Sequence, residues 1–361
     1  MYEYSHGGDI YSVRKQTGRD DILDYSSNVN PLGLPEAVKR AVLQSLDECV
    51  NYPDPFCREL IAALAEYENV DHTVILAANG AAEIIFRLVL ALKPQKALLF
   101  APTFSDYEKA LHTVDCSIDY YSLLEANHFS VTEAILNQIN NSVDMLFICN
   151  PNNPTGQLCS KELMLKIIAK CRTTGTIVVV DECFMDFVEN SAQYSVQSAL
   201  KQNDHMLILK AFTKIFAMPG FRLGYVLTAN MALLEKIRMA GQDWSVSAPA
   251  QFAGICALQD KDYLRRTEIL IKDEREFLIR ELKHLGFQVF GSRANYIFFK
   301  TAVTNLAAKM LEKGIMIRSC ANYINLSNAF YRIAVKNHED NLRLIAAFRD
   351  VINDESHHGH Y

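Results

Sequence analysis

Between residues 70 and 230, short apolar runs alternate with stretches of helical period, and this alternation narrows the fold more than any other feature of the chain. The runs are TVILA (73–77), KALLF (96–100), DMLFIC (144–149), TIVVV (176–180), MLILK (206–210) and LGYVL (223–227). The stretches 81–93, 104–114 and 160–172 have the length and spacing of amphipathic helices. Strands that are apolar without interruption are covered on both faces, and strands that take turns with helices form a mostly parallel sheet. Ligands of such α/β sheets bind beyond the carboxyl ends of the strands. The segments just after the runs are therefore where chemistry is expected.

After residue 245 the texture changes. A helical stretch over about 250–283 is followed by FQVF, NYIFFK, a helix near 303–313, IMIRS, FYRIAV and a last helix near 338–353. Two or three strands beside helices suit a small α+β domain. The first 45 residues read as a Gly- and Asn-rich loop and a helix starting near Pro35, too short to fold alone. A chain of 361 residues exceeds one compact core. The expected division is a large domain over 46–245 and a small one built from 1–45 and 246–361.

Lys plus Arg number 36 and Asp plus Glu 42, a formal charge of −6, so there is no general pull toward nucleic acid or an anionic membrane. Any anion must be held by a local site. The beginning, MYEYSHGGDIYSVRKQ, lacks the apolar centre of a signal peptide, and no stretch reaches the roughly 18 apolar residues of a membrane helix. Nine cysteines, an odd number without a C-x-x-C pair, read as reduced thiols. The expectation is a soluble cytoplasmic protein with no metal site. Its His-rich tail HHGHY reads as a disordered terminus.

Four segments carry chemistry. NPNNPTG (150–156) follows the strand DMLFIC, and its two X-Pro pairs and Gly make a rigid extended turn. Asp181 ends TIVVV, where a carboxylate is costly without a cationic partner. In TKIFAMPGFRLGY (213–225) Lys214 follows a strand and Arg222 comes eight residues later. A lysine amine becomes a nucleophile when burial or nearby cations lower its pKa, and an arginine holds phosphate bidentately. Lys210, the rival lysine, ends its strand without that Pro-Gly-x-Arg setting. In ANGAAEII (78–85) a turn opens a helix at about Ala81, and free N–H groups there form an anion site.

Together with FYRIAV, these segments resemble fold-type-I pyridoxal-phosphate aminotransferases in order and spacing over essentially the whole chain. The resemblance implies the aspartate-aminotransferase-like α/β fold and pyridoxal 5'-phosphate as cofactor. It makes Lys214 the Schiff-base lysine and Asp181 the partner of the pyridine nitrogen. Asn153 becomes the donor to the cofactor's phenolic oxygen and Phe104 the aromatic stacked on its ring. Arg222, Thr213 and the N–H groups of Ala81 and Ala82 become the phosphate cradle. Tyr52 is similar to a tyrosine that reaches the neighbouring subunit's cofactor phosphate, which implies a homodimer with shared sites. Arg332 resembles the arginine that grips the substrate α-carboxylate.

Two subfamilies fit best, histidinol-phosphate aminotransferase and threonine-phosphate decarboxylase of cobalamin side-chain synthesis. HGGDIYSV with DYSSNVNPLGLP, and IRSCANYINLSNAFYRIAV, are similar to the decarboxylase pattern. Phe184 fits it too, because the aminotransferases usually carry a tyrosine there. Arg318, fourteen residues before Arg332, resembles a phosphate-binding arginine of both subfamilies, with His6 and Asn30 as helpers. Two departures stand out: Ala211 where Ser or Thr is usual, and Asn325 where Gly is common. The first expectation is decarboxylation of a phosphorylated amino acid, the second an aminotransferase, the third a non-catalytic binding protein.

Overall fold

The computed structural model describes residues 6–358. Its strands are β1 (Leu23–Asp24), β2 (Ile75–Ala78), β3 (Lys96–Ala101), β4 (Ser117–Ser122), β5 (Met145–Cys149), β6 (Ile177–Asp181) and β7 (Met206–Ala211). They continue with β8 (Gly224–Leu227), β9 (Gln288–Val289), β10 (Tyr296–Lys300), β11 (Ile315–Met316), β12 (Arg318–Ser319) and β13 (Phe330–Ala334).

Seven strands form the main sheet in the order β2-β8-β7-β6-β5-β3-β4. The pairs β3–β4, β3–β5, β5–β6 and β6–β7 are parallel, while β8 runs antiparallel to both neighbours. Successive residues feed opposite cores, as the period of two requires. Met145 and Phe147 pack with Val179, Leu207 and Leu209 on one face. Leu146 and Ile148 pack with Val178, Val180 and Ile208 on the other. Because β2, β5, β6 and β7 point the same way, their carboxyl ends share one edge of the sheet. Ala78, Cys149, Asp181 and Ala211 lie there.

A second, antiparallel sheet has the order β12-β13-β10-β9, and β1 pairs in parallel with β11. The β1–β11 pairing joins the first residues of the chain to the C-terminal part, and helix Glu36–Ser45 packs on helix Ala248–Gln259. The second sheet meets the NPNNPTG turn: the Tyr296 hydroxyl donates to the Asn152 carbonyl at 2.9 Å and Gln157 Nε2 donates to the Phe290 carbonyl at 2.8 Å. The main site-bearing edge is thereby roofed by β10 and β13.

Four features differ from expectation. SIDYYS forms β4, an edge strand whose residues alternate in exposure and so lack an apolar run. The stretch 250–283 is two helices, Ala248–Gln259 and Lys261–His284, because the Asp260 carboxylate caps the second by accepting from the Tyr263 N–H at 2.9 Å. IMIRS divides between β11 and β12 in different sheets. Residues Ile10–Thr17, expected as loop, form a helix whose Asp9 carboxylate accepts from the Ser12 N–H at 3.0 Å. Among the described residues no helix is long and apolar enough to cross a membrane. All nine cysteines are free. The last helix, His338–His358, reaches the first two tail histidines, and 359–361 lie outside the described residues.

Candidate active site

A cavity of about 480 Å³ opens at the carboxyl edge of the main sheet. Lys214, Asp181, Asn153, Phe104, Thr213, Arg222, Ala81, Ala82, Arg318, Arg332 and His6 all line it. The strand order of the main sheet brings those from 81 to 222 to one edge, the second sheet adds Arg318 and Arg332, and the N-terminal arm adds His6.

Lys214 sits in the short helix Phe212–Ile215, directly after β7. Burial, with Arg332 and Arg222 nearby, pushes its amine down from 10.5 to about 8. Lys210 faces elsewhere. Its Nζ donates to both Glu68 oxygens at 2.9 and 3.0 Å, and it lines a different cavity. Burial alone would lower the Lys210 pKa, but the Glu68, Asp186 and Glu182 carboxylates reverse this and hold it above the ordinary value. One lysine is locked as an ammonium, and the other is poised as a nucleophile.

Asp181 is buried at the end of β6. Its Oδ2 accepts from the Tyr107 hydroxyl at 2.6 Å and its Oδ1 from the Cys183 N–H at 3.0 Å. Tyr107 is itself stacked on Phe147 at 4.8 Å and meets Phe104 edge-on at 5.5 Å. Phe104 lies just before helix Asp106–His112, whose first turn carries Tyr107, so Phe104 faces the cavity while Tyr107 backs it. Phe184 lines the wall beneath, packed edge-on against Tyr296 at 5.0 Å, and has no hydroxyl to donate.

Helix Ala81–Leu92 starts at the cavity, and its N-cap, Gly80, provides no side-chain cap. Gly80 has φ +86°, and a Cβ there would lie 2.7 Å from Arg222 Nη2. A glycine is what lets the guanidinium lie over the uncapped N–H groups. A cation beside a helix N-terminus is a cradle for a phosphate. Ala211 lines the cavity here in place of a hydroxyl-bearing residue.

Arg332, in β13, is 5 % exposed. It donates to Asn153 Oδ1 and, at 2.7 Å, to the Ser26 carbonyl, and its buried Nε has no hydrogen-bond partner. A buried guanidinium donor without a partner is costly unless a ligand completes it. Arg318 stands opposite Arg332 in the β12–β13 register. It donates to Asn322 Oδ1 at 2.8 Å and lies over the Tyr323 ring at 5.6 Å. His6 bridges Asp106 and Lys109, each at 2.8 Å, and the arm is pinned where the Gly8 N–H donates to Ser26 Oγ at 2.8 Å.

Two expected residues are placed away from the cavity wall. Asn30 is buried beside it with every polar atom engaged: Nδ2 donates to the Ile215 carbonyl and Thr267 Oγ1, both at 2.7 Å, and Oδ1 accepts from the Leu32 N–H at 3.0 Å. Its own N–H donates to the Lys214 carbonyl at 3.0 Å, so it braces the lysine's backbone, and Asn28 takes the place on the wall. Tyr52 is 80 % exposed on the outer surface, stacked on Trp244. Asn325 has φ +66°, so the loop keeps the left-handed turn a glycine would make. Tyr107, Ser26, Asn322 and Tyr323 are site residues that sequence reasoning did not find. Tyr107 alone had a signal, its place three residues after Phe104.

The residues fit pyridoxal phosphate. The lowered amine suits its aldehyde, the braced carboxylate its ring nitrogen, and the uncapped helix with Arg222 its phosphate.

The family model for class I and II aminotransferases matches residues 20–348. A curated relative, the threonine-phosphate decarboxylase of Salmonella typhimurium, is 37% identical over 357 residues, covering 98% of each chain. The solved histidinol-phosphate aminotransferase of Clostridium acetobutylicum superposes with a TM-score of 0.87 at 31% identity, covering 92% of this chain and 100% of that one. A Thermus thermophilus aspartate aminotransferase mutant shares the fold with a TM-score of 0.81 at 21% identity, covering 97% and 100%. The chain therefore belongs to the class I and II aminotransferase family, fold-type-I enzymes whose cofactor is pyridoxal phosphate.

Proposed function

We propose that the chain decarboxylates a small phosphorylated amino acid. The assigned reaction takes O-phospho-L-threonine to (R)-1-aminopropan-2-ol O-phosphate in cobalamin biosynthesis, releasing CO2 as a proton takes its place on the α-carbon. The observation that carries this reading is the cross-strand pair Arg318–Arg332, two cavity cations in direct register. Like charges opposite each other destabilise a sheet, and two anions on one short ligand offset that cost. O-phospho-L-threonine offers a carboxylate and a phosphate a few bonds apart. Histidinol phosphate carries a phosphate and no carboxylate, and an aminotransferase would fill both sites only with its dicarboxylate co-substrate. The 37% identity to a relative named threonine-phosphate decarboxylase supports the same choice.

Bound pyridoxal phosphate supplies an electron sink for charge developing at the substrate α-carbon. The chain does the rest. Arg332, held by Asn153 and the Ser26 carbonyl, fixes the carboxylate, and Arg318 with His6 fixes the phosphate. Two anchors leave little rotation around the α-carbon, and that orientation selects the bond that breaks. Lys214 Nζ would deliver the proton to the α-carbon and would be the residue that holds the cofactor between turnovers. Asp181, braced by Tyr107, would hold the ring nitrogen's proton, Asn153 the phenolic oxygen and Phe104 the ring face. Arg222, Thr213 and the first N–H groups of the helix at Ala81 and Ala82 would hold the cofactor phosphate.

Tyr52 lies outside its own chain's cavity, which suits a residue that completes the site of a second copy. The assembly assigned is a homodimer with shared sites, each chain divided into a cofactor-binding body over 46–245 and a smaller one from 1–45 and 246–361. Incubating holoenzyme with O-phospho-L-threonine and no keto acid tests the reading. CO2 release supports it. A cofactor converted to its amine form by histidinol phosphate and restored by 2-oxoglutarate replaces it with an aminotransferase.

A further inference from the structure

The surface around Tyr52 is built with more care than a plain loop needs. Tyr52 is 80 % exposed and Trp244 46 % exposed, yet their rings are stacked 4.6 Å apart with an interplanar angle of 27°. An exposed tyrosine ordinarily samples several rotamers, and a flat neighbour removes that freedom. Trp244 has φ +55°, a left-handed backbone that bulky residues rarely adopt. Strain of this kind persists where the surroundings over-determine it, and it clusters at functional sites.

The surroundings do over-determine it. Gln251, itself buried, donates from Nε2 to the Val246 carbonyl and to the Asp54 carbonyl, both at 3.0 Å. One amide thus ties the segment that carries Trp244 to the segment that carries Tyr52. At the other end of the loop, Arg87 Nη2 donates to the Gln242 carbonyl at 3.1 Å. Gly241 passes so near that a Cβ on it would lie 1.8 Å from Arg87 Cζ. Arg87 belongs to helix Ala81–Leu92, and Glu83 on that helix accepts from Arg87 at 2.7 Å and from the Asn79 N–H at 2.6 Å. The aromatic stack is therefore braced against the same helix whose first turn faces the cofactor phosphate.

We infer that Trp244, seated by Gln251 and Arg87, is a positioning residue that presents Tyr52 to the cofactor phosphate of a second copy of the chain. The inference rests on the reading of Tyr52 given under Proposed function and adds the device that aims it. An unbraced tyrosine would lose its side-chain freedom on each encounter with the neighbouring site. A stacked one has already lost it. The stack also gives the protein a reporter, because Trp244 is the single tryptophan of the chain.

The test is a mutant cycle on the full-length protein, read as retention of pyridoxal phosphate in equilibrium dialysis without substrate, with sedimentation to follow the dimer. Trp244→Gly keeps the left-handed backbone and removes the ring, and Trp244→Phe keeps a stacking face. The expected result is a dimeric Trp244→Gly that holds the cofactor roughly three- to tenfold more weakly, the scale of one aromatic pair. Trp244→Phe should stay within about twofold of the parent on the same scale. The double variant Tyr52→Ala/Trp244→Gly should be no weaker than Tyr52→Ala alone. Should Trp244→Gly fail to fold, Trp244→Leu against Trp244→Phe reads the same contrast. If Tyr52→Ala weakens retention while Trp244→Gly does not, or if the two losses multiply, the inference is overturned and the reading of Tyr52 stands. If Tyr52→Ala itself leaves retention unchanged, or the parent sediments as a cofactor-loaded monomer, the reading of Tyr52 fails and the inference with it.

Discussion

Arg318 and Arg332 stand opposite each other on adjacent antiparallel strands, and both line the cavity that holds Lys214. The first is assigned to a phosphate and the second to a carboxylate. Removing Arg318 should therefore be selective. Arg318→Ala is expected to cost about 2–4 kcal/mol in kcat/KM on the phosphorylated substrate, the scale of charge-assisted bonds to a desolvated anion. The unphosphorylated amino acid should lose much less. Equal losses on both substrates would remove the phosphate role.

The two lysines near the end of β7 should separate cleanly. Lys214→Ala should abolish the visible absorption of the yellow holoenzyme and any link that borohydride can reduce. Lys210→Met should keep both and instead lower stability by about 3–5 kcal/mol, because it leaves Glu68 buried without its cation. A reducible link surviving in Lys214→Ala would move the chemistry to Lys210.

The depressed Lys214 pKa gives a pH signature in the cofactor-free enzyme. Only the neutral amine attacks an aldehyde, so capture of pyridoxal phosphate should speed up as pH rises through about 8 and then level off. Desolvation is the largest cause of the shift and Arg332 the next. Arg332→Gln removes one repelling cation, stabilises the ammonium and should move the midpoint upward. Stopped-flow absorbance across pH 6–10 checks both points. A midpoint near the free-lysine value, or one that Arg332→Gln leaves in place, contradicts the assignment.

Much of this was legible in the sequence, for physical reasons. The six apolar runs were visible because their strands are covered on both faces, and the site residues at their ends followed from the direction of a parallel sheet. β4 was hidden because an edge strand with one wet face has no apolar run to see. The break at Asp260 was hidden because hydrophobic period continues across it, though its capping carboxylate was a local signal. Contacts across long sequence gaps were beyond reach. Tyr107 meets Asp181 across 74 residues and Arg332 meets Ser26 across 306, and the pattern within one segment does not report its contact with another. Asn30 reads from the sequence as a helper of Arg318 at the phosphate, whereas three side-chain hydrogen bonds within the chain make it a brace.

Gly80 offers a test of the phosphate cradle that removes no charged group. Its φ of +86° and the 2.7 Å approach of Arg222 Nη2 leave no unstrained place for a methyl group. Gly80→Ala should weaken cofactor binding by about 1–3 kcal/mol, the usual cost of such backbone strain. Equilibrium dialysis of pyridoxal phosphate measures it. An unchanged affinity would mean that the helix start and Arg222 do not share the cofactor phosphate.

The most direct measurement is the product balance with O-phospho-L-threonine as sole substrate. Two anchors on a short substrate should direct bond breaking to the carboxylate. The expected result is one CO2 and one aminopropanol phosphate for each substrate consumed, over many turnovers, with no keto acid added and the cofactor spectrum back in its aldehyde form. A burst of pyridoxamine phosphate without CO2, together with steady turnover of histidinol phosphate and 2-oxoglutarate, would contradict it and make the enzyme an aminotransferase.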